Sequence, residues 1–456
     1  MTKGEARLPR LSAATLNRLP AWVERPATRP APRVVHLGIG AFHRAHQAPV
    51  FEELGWGIVG ASFRAPAVRD AMAPQDWLYS LVVGDQVQVI GAVRDVIVVP
   101  ENPQALVATL AAPETAIVTL TITEKGYLPG APAAGFLAQG LALRRARGLA
   151  PFTAISCDNL AGNGSRLRDA VLAASDPAAR DWIAAHGAFP QTMVDRIVPA
   201  TDAADIEALA ARIGLVDLAM VKAEPFTQWV IEDRFAGERP DFAAAGVTLT
   251  ADVGPWEEAK LRLLNGAHSA IAYLGGLAGV EHVHQFVAAP AGRRFVEALW
   301  DETAPTLSPP PELDLAGYRA ALLDRFANAA LAHRTRQIAM DGSQKLPQRL
   351  LAPIAERLAR GEAIEALALA VAGWIAWQAG RTDAGERFIV DDPLAERTRG
   401  FAGSPAARVD AALALRQVFP PALAANPAFR DALVRQLTKL SEQGAAAAVE
   451  SFSAQE

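Results

Sequence analysis

The sequence predicts an α/β domain followed by a mostly α-helical domain. Up to about Asp252, short apolar and β-branched segments alternate with helical periodicity, as in a parallel sheet covered by helices. Beyond that point strand patterns fade, and Ala- and Leu-rich helical periodicity continues to the end. A chain of 456 residues also exceeds one ordinary hydrophobic core. We therefore expect domains over residues 1–251 and 252–456.

The first elements predict a Rossmann-type unit. Residues 33–37 form a short apolar strand, and Gly38-Ile-Gly40 follows at once. Residues 43–54 are typical of a helix, and residues 56–63 of a second strand. Strand, glycine turn, helix and strand open a dinucleotide-binding βαβ unit. Many tight strand-to-helix turns carry two glycines for steric reasons alone, and that alternative stays open here.

The glycine turn supplies the candidate cofactor contacts: Gly38, Gly40, Phe42, His43 and, after the second strand, Arg64. The glycines let the backbone approach a pyrophosphate, and the helix start supplies N–H groups. His43 stands where a third glycine is usual. No acid occupies the position that normally binds the adenosine ribose. Arg64 is there instead, either as surface filler or as a partner for a 2′-phosphate, so this stretch leaves NAD and NADP open.

Further strands bring polar residues to the sheet edge. Residues 87–99, with a bend near Gly91, and residues 116–123 and 152–157 are predicted strands, and the last runs directly into Asp158 and Asn159. Residues at the carboxyl ends of parallel strands are well placed to line a ligand crevice. The alternative is that Asp158 and Asn159 only cap the following helix.

Residues 260–269 combine an amine, a carboxamide and an imidazole within a Leu-rich helical segment: Lys260, Asn265 and His268. Lysine is scarce in this chain, and burial lowers the pKa of an amine so that it accepts a proton near neutral pH. On an ideal α-helix Lys260 and Asn265 lie about 140° apart, whereas Asn265 and His268 share a face. The same pattern also suits an ordinary amphipathic helix with a solvated Lys260 and an interior His268.

Composition excludes several classes of function. A net charge of −5 argues against a broad nucleic-acid-binding face. The single cysteine, Cys157, excludes an internal disulfide framework and suits a reducing cytoplasm. No signal-peptide pattern opens the chain, and the apolar run 363–377 is too short for a membrane span. His282 and His284 lack a convincing third ligand, so no metal is expected.

Together these motifs resemble the polyol-specific long-chain dehydrogenases, which include the mannitol 2-dehydrogenases and the fructuronate reductases (D-mannonate oxidoreductases). The matching blocks are residues 38–47, 120–127, 156–159, 193–197, 228–233, 260–268 and 341–347. No single block is specific, but the set covers most of the chain. The resemblance implies a Rossmann-type domain, a helical domain and metal-free hydride transfer between a polyol and NAD, to which both domains contribute residues.

The resemblance also implies roles for individual residues. Lys260 would be the general base, and Asn159 and Asn265 would hold the reacting oxygen as alkoxide character develops. His268 would hydrogen-bond the substrate and help to set Lys260. Glu257 would relay the proton to solvent.

Substrate binding is where the chain departs from the mannitol 2-dehydrogenases. Asp195 and Lys345 would bind the remaining hydroxyl groups, but Gln337 stands where those enzymes carry an arginine. The surrounding block is closer to the fructuronate reductases. A carboxylated substrate would need a cation, for which the candidates are Arg334, Arg336, Lys345 and Arg349.

The sequence therefore predicts a cytoplasmic NAD-dependent oxidoreductase that interconverts a sugar alcohol and its 2-ketose, of the D-mannitol/D-fructose type. The first alternative is a D-mannonate oxidoreductase acting on an aldonate. The second, of another class, is a non-catalytic nucleotide-binding sensor. The expected partner is a small substrate, without nucleic acid or membrane, and the expected state is a monomer or a small homo-oligomer.

Overall fold

The computed structural model describes residues 8–453, which form two compact units that divide between Val253 and Gly254. The first unit contains every strand of these residues: β1 Pro32–Leu37, β2 Gly57–Ser62, β3 Tyr79–Val83, β4 Gln86–Ile90, β5 Val93–Val98, β6 Ile117–Leu120, β7 Thr153–Ser156, β8 Thr192–Asp195, β9 Val221–Ala223, β10 Gln228–Glu232 and β11 Thr248–Thr250. Its α-helices are α1 Ala41–Ala45, α2 Gln47–Glu53, α3 Ala67–Met72, α4 Pro103–Leu110, α5 Pro132–Ala146, α6 Asn163–Ala174, α7 Pro177–His186 and α8 Ala203–Ile213.

A five-stranded parallel sheet in the order β5-β2-β1-β6-β7 organises the first unit. The order reverses between β1 and β6, which is the crevice where doubly wound folds bind ligands. Alternate residues face opposite sides: Val34 of β1 belongs to one core cluster and Val35 to another. The sheet is therefore buried on both faces, and the predicted Rossmann-type domain is confirmed.

The predicted strand over residues 87–99 is divided between two sheets. β4 pairs with β3 in a three-stranded sheet that also contains β9, whereas β5 joins the parallel sheet beside β2. The chain changes sheet at Gly91, whose N–H donates to Glu52. The predicted helix over residues 43–54 is also interrupted, because α1 ends at Ala45 and α2 begins at Gln47.

The second unit is mostly α-helical, as predicted. Its α-helices are α9 Gly254–Ala259, α10 Gly266–Leu277, α11 Val283–Ala288, α12 Pro290–Thr303, α13 Leu315–Ala327, α14 Thr335–Ile338, α15 Gly342–Leu346, α16 Ala352–Ala359, α17 Glu365–Trp377, α18 Ala395–Thr398, α19 Pro405–Leu413, α20 Pro421–Ala424 and α21 Pro427–Glu450. The apolar run at α17 packs against α10 and α21 and forms the centre of this unit. Within residues 8–453, no helix is long and apolar enough to cross a bilayer.

Two π-helical segments interrupt this helical pattern. Lys260–Asn265 joins α9 to α10, and Pro347–Leu351 joins α15 to α16. The two segments contact each other. Next to the first of them, an added Cβ at Gly266, the first residue of α10, would lie 3.0 Å from the carbonyl oxygen of Arg349. π-helical turns are rare and occur frequently at functional sites.

Candidate active site

The glycine turn after β1 is built for close backbone approach. Gly38 has φ +94°, and a Cβ on it would lie 2.2 Å from the carbonyl oxygen of Thr121. Only glycine combines that conformation with that proximity. The Gly38 N–H donates to the carbonyl oxygen of Ala61 in β2, which ties the turn to the neighbouring strand.

A buried histidine is hydrogen-bonded to the residues that hold the glycine turn. His36 Nδ1 lies 2.8 Å from Thr119 Oγ1, and its Nε2 lies 2.9 Å from Thr121 Oγ1. The Thr121 hydroxyl donates to the carbonyl oxygen of Gly38 at 2.9 Å, so it accepts from the imidazole. Burial lowers the pKa of His36 to about 3, which keeps the ring neutral.

A cavity of about 500 Å³ opens at this turn. It is lined by residues 38–40, 62–64, 121–123, 125–126 and 131–133, which follow β1, β2 and β6 or begin α5. Gly38, Gly40 and Arg64, three of the predicted cofactor contacts, border it. Lys125 borders it too, although nothing in the sequence pattern marked this residue beyond its place after a predicted strand.

The side chains of Phe42 and His43 lie elsewhere. The His43 ring is fully buried and stacks on His36 with ring centroids 3.4 Å apart and planes at 11°. Phe42 stacks on His46 at 5.0 Å. Neither side chain lines the cavity, so any contact of these two residues with a dinucleotide is through the backbone of the first turn of α1.

Asp158 fastens the loop after β6 and does not cap a helix. Its carboxylate accepts from the N–H groups of Ile122 and Thr123 at 3.1 and 2.8 Å, and from the Tyr127 hydroxyl at 2.5 Å. The N-cap of α6 is Gly162, without a side-chain cap, so the capping interpretation of Asp158 and Asn159 is wrong. The carboxylate is held by three donors of the loop that lines the cavity. Asn159 is exposed.

The predicted substrate residue of the first unit, Asp195, is the last residue of β8. Its side chain is buried, 6% exposed, and Gln228 of β10 lies opposite it across the antiparallel pair.

The π-helix places Lys260 and Asn265 on one face. The Gly266 N–H donates to the carbonyl oxygen of Leu261, the five-residue pattern of a π-turn. Lys260 and Asn265 are also five residues apart, and therefore stand one turn above each other. Lys260 is only 8% exposed, which contradicts the solvated alternative. Glu257, in the preceding turn, is half-buried.

His268 is one turn beyond Asn265, on α10. Its ring centroid lies 4.6 Å from that of Phe326 and 5.7 Å from that of His333. Burial lowers the pKa of His268 well below its usual value, and the positive charge of His333 and of nearby arginines acts in the same direction. The imidazole is therefore neutral near pH 7, with one donor and one acceptor nitrogen.

Lys345 is held at the end of a rigid turn. Asp341, with φ +54°, is the N-cap residue of α15, and both the N–H and the hydroxyl of Ser343 donate to Asp392. The Lys345 ammonium donates to the carbonyl oxygens of Met340 and Ile338 at 2.5 and 3.3 Å. Burial lowers the pKa of Lys345, and the neighbouring charge of Arg349 adds to that effect.

The cationic residues proposed to bind a substrate carboxylate differ in their partners. Arg334 pairs with Glu281 at 3.8 Å and Arg336 with Glu386 at 3.3 Å, and both arginines are exposed, as is Gln337. Arg349 is half-buried and donates to Ser269 Oγ at 3.1 Å and to the carbonyl oxygen of Asn265 at 3.4 Å. Within residues 8–453, no carboxylate forms an ion pair with Arg349, which leaves its charge uncompensated.

The part of the chain that the structure describes contains no cluster of side chains suited to binding a metal ion. No group of three or more His, Cys, Asp or Glu side chains there is arranged to hold an ion. His282 and His284 stack on each other with ring centroids 5.5 Å apart.

Comparison with known proteins identifies the family. The mannitol dehydrogenase Rossmann domain matches residues 32–244, and the mannitol dehydrogenase C-terminal domain matches residues 252–441. The chain is 40% identical to the D-mannonate oxidoreductase of Escherichia coli (strain K12), over 93% of this chain and 96% of that protein. It is 37% identical to a mannitol 2-dehydrogenase of Pyrenophora tritici-repentis, over 92% of this chain and 81% of that protein.

A solved structure agrees with these matches. The ternary complex of Pseudomonas fluorescens mannitol 2-dehydrogenase with NAD and D-mannitol superposes with a TM-score of 0.80 and 35% identity, over 98% of this chain and all of that one. Two family domains together span most of this chain, and the relatives named above are matched over 81% or more of their own length. The chain belongs to the mannitol dehydrogenase family.

Proposed function

We propose that this protein is an NAD-dependent oxidoreductase that interconverts a sugar alcohol and its 2-ketose without a metal ion. The observation that carries the proposal is the pair Lys260 and Asn265, a buried amine and a carboxamide on one face of a π-helix. A base and an oxyanion donor side by side suit proton removal from a carbinol. A mannitol 2-dehydrogenase that is similar to this chain has been solved in complex with NAD and D-mannitol, which supports the proposal.

Gly38, Gly40 and Arg64 would hold the dinucleotide at the cavity after β1, with the backbone N–H groups of Phe42 and His43. The glycine turn fits a pyrophosphate because its backbone is bare and its geometry is fixed by Thr121. When bound there, NAD would supply the acceptor for the hydride that leaves the carbinol carbon.

The proposed proton path begins at Lys260, which takes the proton of the reacting hydroxyl group. Asn265 and Asn159 donate hydrogen bonds to the oxygen as it gains alkoxide character. Neutral His268 hydrogen-bonds the substrate and orients Lys260. Glu257, half-buried in the turn before Lys260, passes the proton on to solvent.

Three further residues are proposed to bind the remaining hydroxyl groups: Asp195, Lys345 and Gln337. A buried carboxylate accepts from hydroxyl groups, and an ammonium donates to them, so Asp195 and Lys345 are complementary in this role.

A single assay tests the proposal. The purified protein is mixed with NAD and each of mannitol, arabinitol and sorbitol, and with NADH and fructose, while the absorbance of reduced nicotinamide is followed. We expect turnover with at least one polyol and its ketose. Nucleotide binding without turnover on any substrate, in either direction, would instead support a non-catalytic sensor.

A second candidate, a D-mannonate oxidoreductase, is favoured by one observation. Arg349 carries a charge without a carboxylate partner among residues 8–453 and donates to the backbone at Asn265. A substrate carboxylate would compensate that charge. Mannonate and fructuronate therefore belong in the same assay. If an aldonate is the substrate, Arg349→Gln should raise its KM about tenfold or more while Arg349→Lys retains part of the affinity.

We also propose that the protein acts in the cytoplasm as a monomer or small homo-oligomer. The single cysteine, Cys157, is buried, and burial raises the pKa of its thiol. A lone thiol without a disulfide partner suits a reducing cytoplasm. Sedimentation velocity at micromolar concentration tests the assembly state, and fractionation of source cells tests the location.

A further inference from the structure

Two cations border the cavity beside the glycine turn. Arg64 follows β2 and Lys125 follows β6, and both side chains are exposed. Neither makes a hydrogen bond or an ion pair with any residue of the described range 8–453. Their charges are thus available to a ligand in the cavity.

The position of Arg64 is fixed by its turn. The Ser62 hydroxyl donates to the carbonyl oxygen of Ala65 at 2.8 Å, which closes the turn around Arg64. The Val99 N–H donates to the carbonyl oxygen of Ser62 at 2.9 Å and ties the same turn to the end of β5. In a Rossmann-type domain the end of the second strand faces the adenosine ribose of the dinucleotide. Arg64 therefore stands at the ribose end of the cavity.

Acids that would repel a phosphate are absent from this end. Among the cavity-lining residues within 8–453, none is Asp or Glu. Asp70, the next acid after β2, pairs with Arg69 at 2.9 Å, and Arg69 also binds Glu101. The Asp70 carboxylate is thus paired with Arg69, and the Asp70 side chain does not line the cavity. An acid at the ribose would select against a 2′-phosphate, and the chain has none there.

We propose that the cavity accepts the 2′-phosphorylated dinucleotide NADP(H) as well as NAD(H), with Arg64 and Lys125 as its phosphate partners. The inference rests on the proposed function, because it assigns the ribose end of the same cofactor site. Arg64 offers a planar guanidinium for bidentate contact, and Lys125 adds a second positive charge across the cavity from β2. The partner chemistry is a phosphate monoester dianion on a nucleoside ribose.

Equilibrium binding tests the proposal without any substrate. NADH and NADPH are titrated into the full-length protein, and nicotinamide fluorescence or quenching of tryptophan emission gives each Kd. We expect the two Kd values to agree within about tenfold. Arg64→Ala and Lys125→Ala should each weaken NADPH binding by about tenfold more than they weaken NADH binding. Arg69→Ala removes a nearby arginine that is already paired, and should change neither value.

Two further measurements separate the phosphate contact from general damage. 2′-AMP should displace NADH at lower concentration than 5′-AMP does, and Arg64→Ala should abolish that difference. Added salt should weaken NADPH binding more steeply than NADH binding, because only NADPH carries the additional 2′-phosphate charge that the two exposed cations would contact.

The outcomes distinguish this inference from the proposed function. If NADH binds and NADPH binds more than about a hundredfold more weakly, the inference is overturned and the proposed function stands. The inference is likewise overturned if NADPH binds well but neither substitution affects it, since other residues then hold the phosphate. If neither dinucleotide binds, the proposed function falls together with the inference.

Discussion

Lys260 and Asn265 lie one turn apart in a six-residue π-helix, so that an amine and a carboxamide occupy the same face. In an α-helix the same two positions would diverge by about 140°. The wider turn of a π-helix thus reduces the angle between the two positions. The segment continues directly into α10, where His268 follows one turn later. Three side chains of different chemistry are in this way carried by one continuous, rigid helical element.

Replacement of Lys260 tests its role as the base. Lys260→Ala should lower kcat by about 10²–10⁴-fold, because a positioned general base contributes that much. Dinucleotide binding should persist, since the cavity at Gly38 lies wholly within the first unit. Steady-state kinetics and fluorescence titration on the same preparation give both values.

Lys439→Ala is the matched control, because Lys439 is also in the helical unit and bonds Ser451 near the end of the described chain. It should leave kcat within about twofold. Near-normal turnover in Lys260→Ala would show that Lys260 is not the general base.

The spacing at Lys260 also shows where sequence reasoning reached its limit. The residue types were informative, because a scarce lysine beside an amide in a Leu-rich run points to a special environment. Their geometry was not, since periodicity assumes 3.6 residues per turn and a π-turn changes that locally. The turn is stabilised by packing of Gly266 against Arg349, more than eighty positions later in the chain. No local pattern contains that contact.

The Rossmann-type half was predictable for a different reason. Its strands are short, β-branched and separated by glycine turns, which are local signals, and the strand order follows from the fold class. Asp158 was not predictable, because an acid before a helix favours a cap. The structure instead satisfies Asp158 with Thr123 and Tyr127, donors that only the pairing of β6 with β7 brings close.

Removal of the Asp158 carboxylate should loosen the loop that lines the cavity. Asp158→Ala leaves the N–H groups of Ile122 and Thr123 and the Tyr127 hydroxyl without their acceptor. Each lost acceptor in a partly buried place costs about 1 kcal/mol or more. We expect a lower Tm and a Kd for NADH raised by about tenfold. Differential scanning fluorimetry and fluorescence titration measure the two effects.

Tyr127→Phe separates the contributions, because it removes one donor and leaves both backbone contacts of Asp158 in place. It should weaken NADH less than Asp158→Ala does. An unchanged Kd in Asp158→Ala would mean that the loop after β6 does not contact the cofactor.

Gly342 is required by the space around it. A Cβ there would lie 2.6 Å from Tyr273 Oη and 2.7 Å from Trp374 Nε1, and both side chains are fully buried. Gly342→Ala must therefore shift the start of α15, at a cost of about 1–3 kcal/mol. Because Lys345 lies on that helix, we expect a lower Tm and a raised KM for the sugar substrate with little change in NADH affinity.

Gly237→Ala is the control substitution, since an added Cβ at Gly237 meets no atom within 4 Å and its φ is not positive. Both Tm and KM should stay near those of the parent protein. If Gly342→Ala behaves like Gly237→Ala, the turn before Lys345 is more tolerant than its contacts indicate.

The stacked pair His36 and His43 should make the first unit sensitive to acid. Burial lowers the pKa of His43 well below its usual value, and the stacked His36 ring acts in the same direction. In the unfolded chain the pKa returns to about 6.5, so the unfolded state binds a proton first as pH falls. The contribution of this histidine to the free energy of unfolding is therefore fully present above about pH 6.5 and decreases as the pH falls below that value. For one such histidine the loss between pH 7.5 and 5 is about 2 kcal/mol.

His43→Phe keeps a flat ring in the stack and removes the titrating group. Urea unfolding of the full-length protein at pH 7.5 and 5, followed by tryptophan fluorescence, should show a pH-dependent loss smaller by about 2 kcal/mol than in the parent. His186→Gln, at an exposed histidine of α7, should leave that loss unchanged. An identical pH dependence in His43→Phe and the parent would mean that the buried imidazole is protonated in the folded protein, against the direction that its burial imposes.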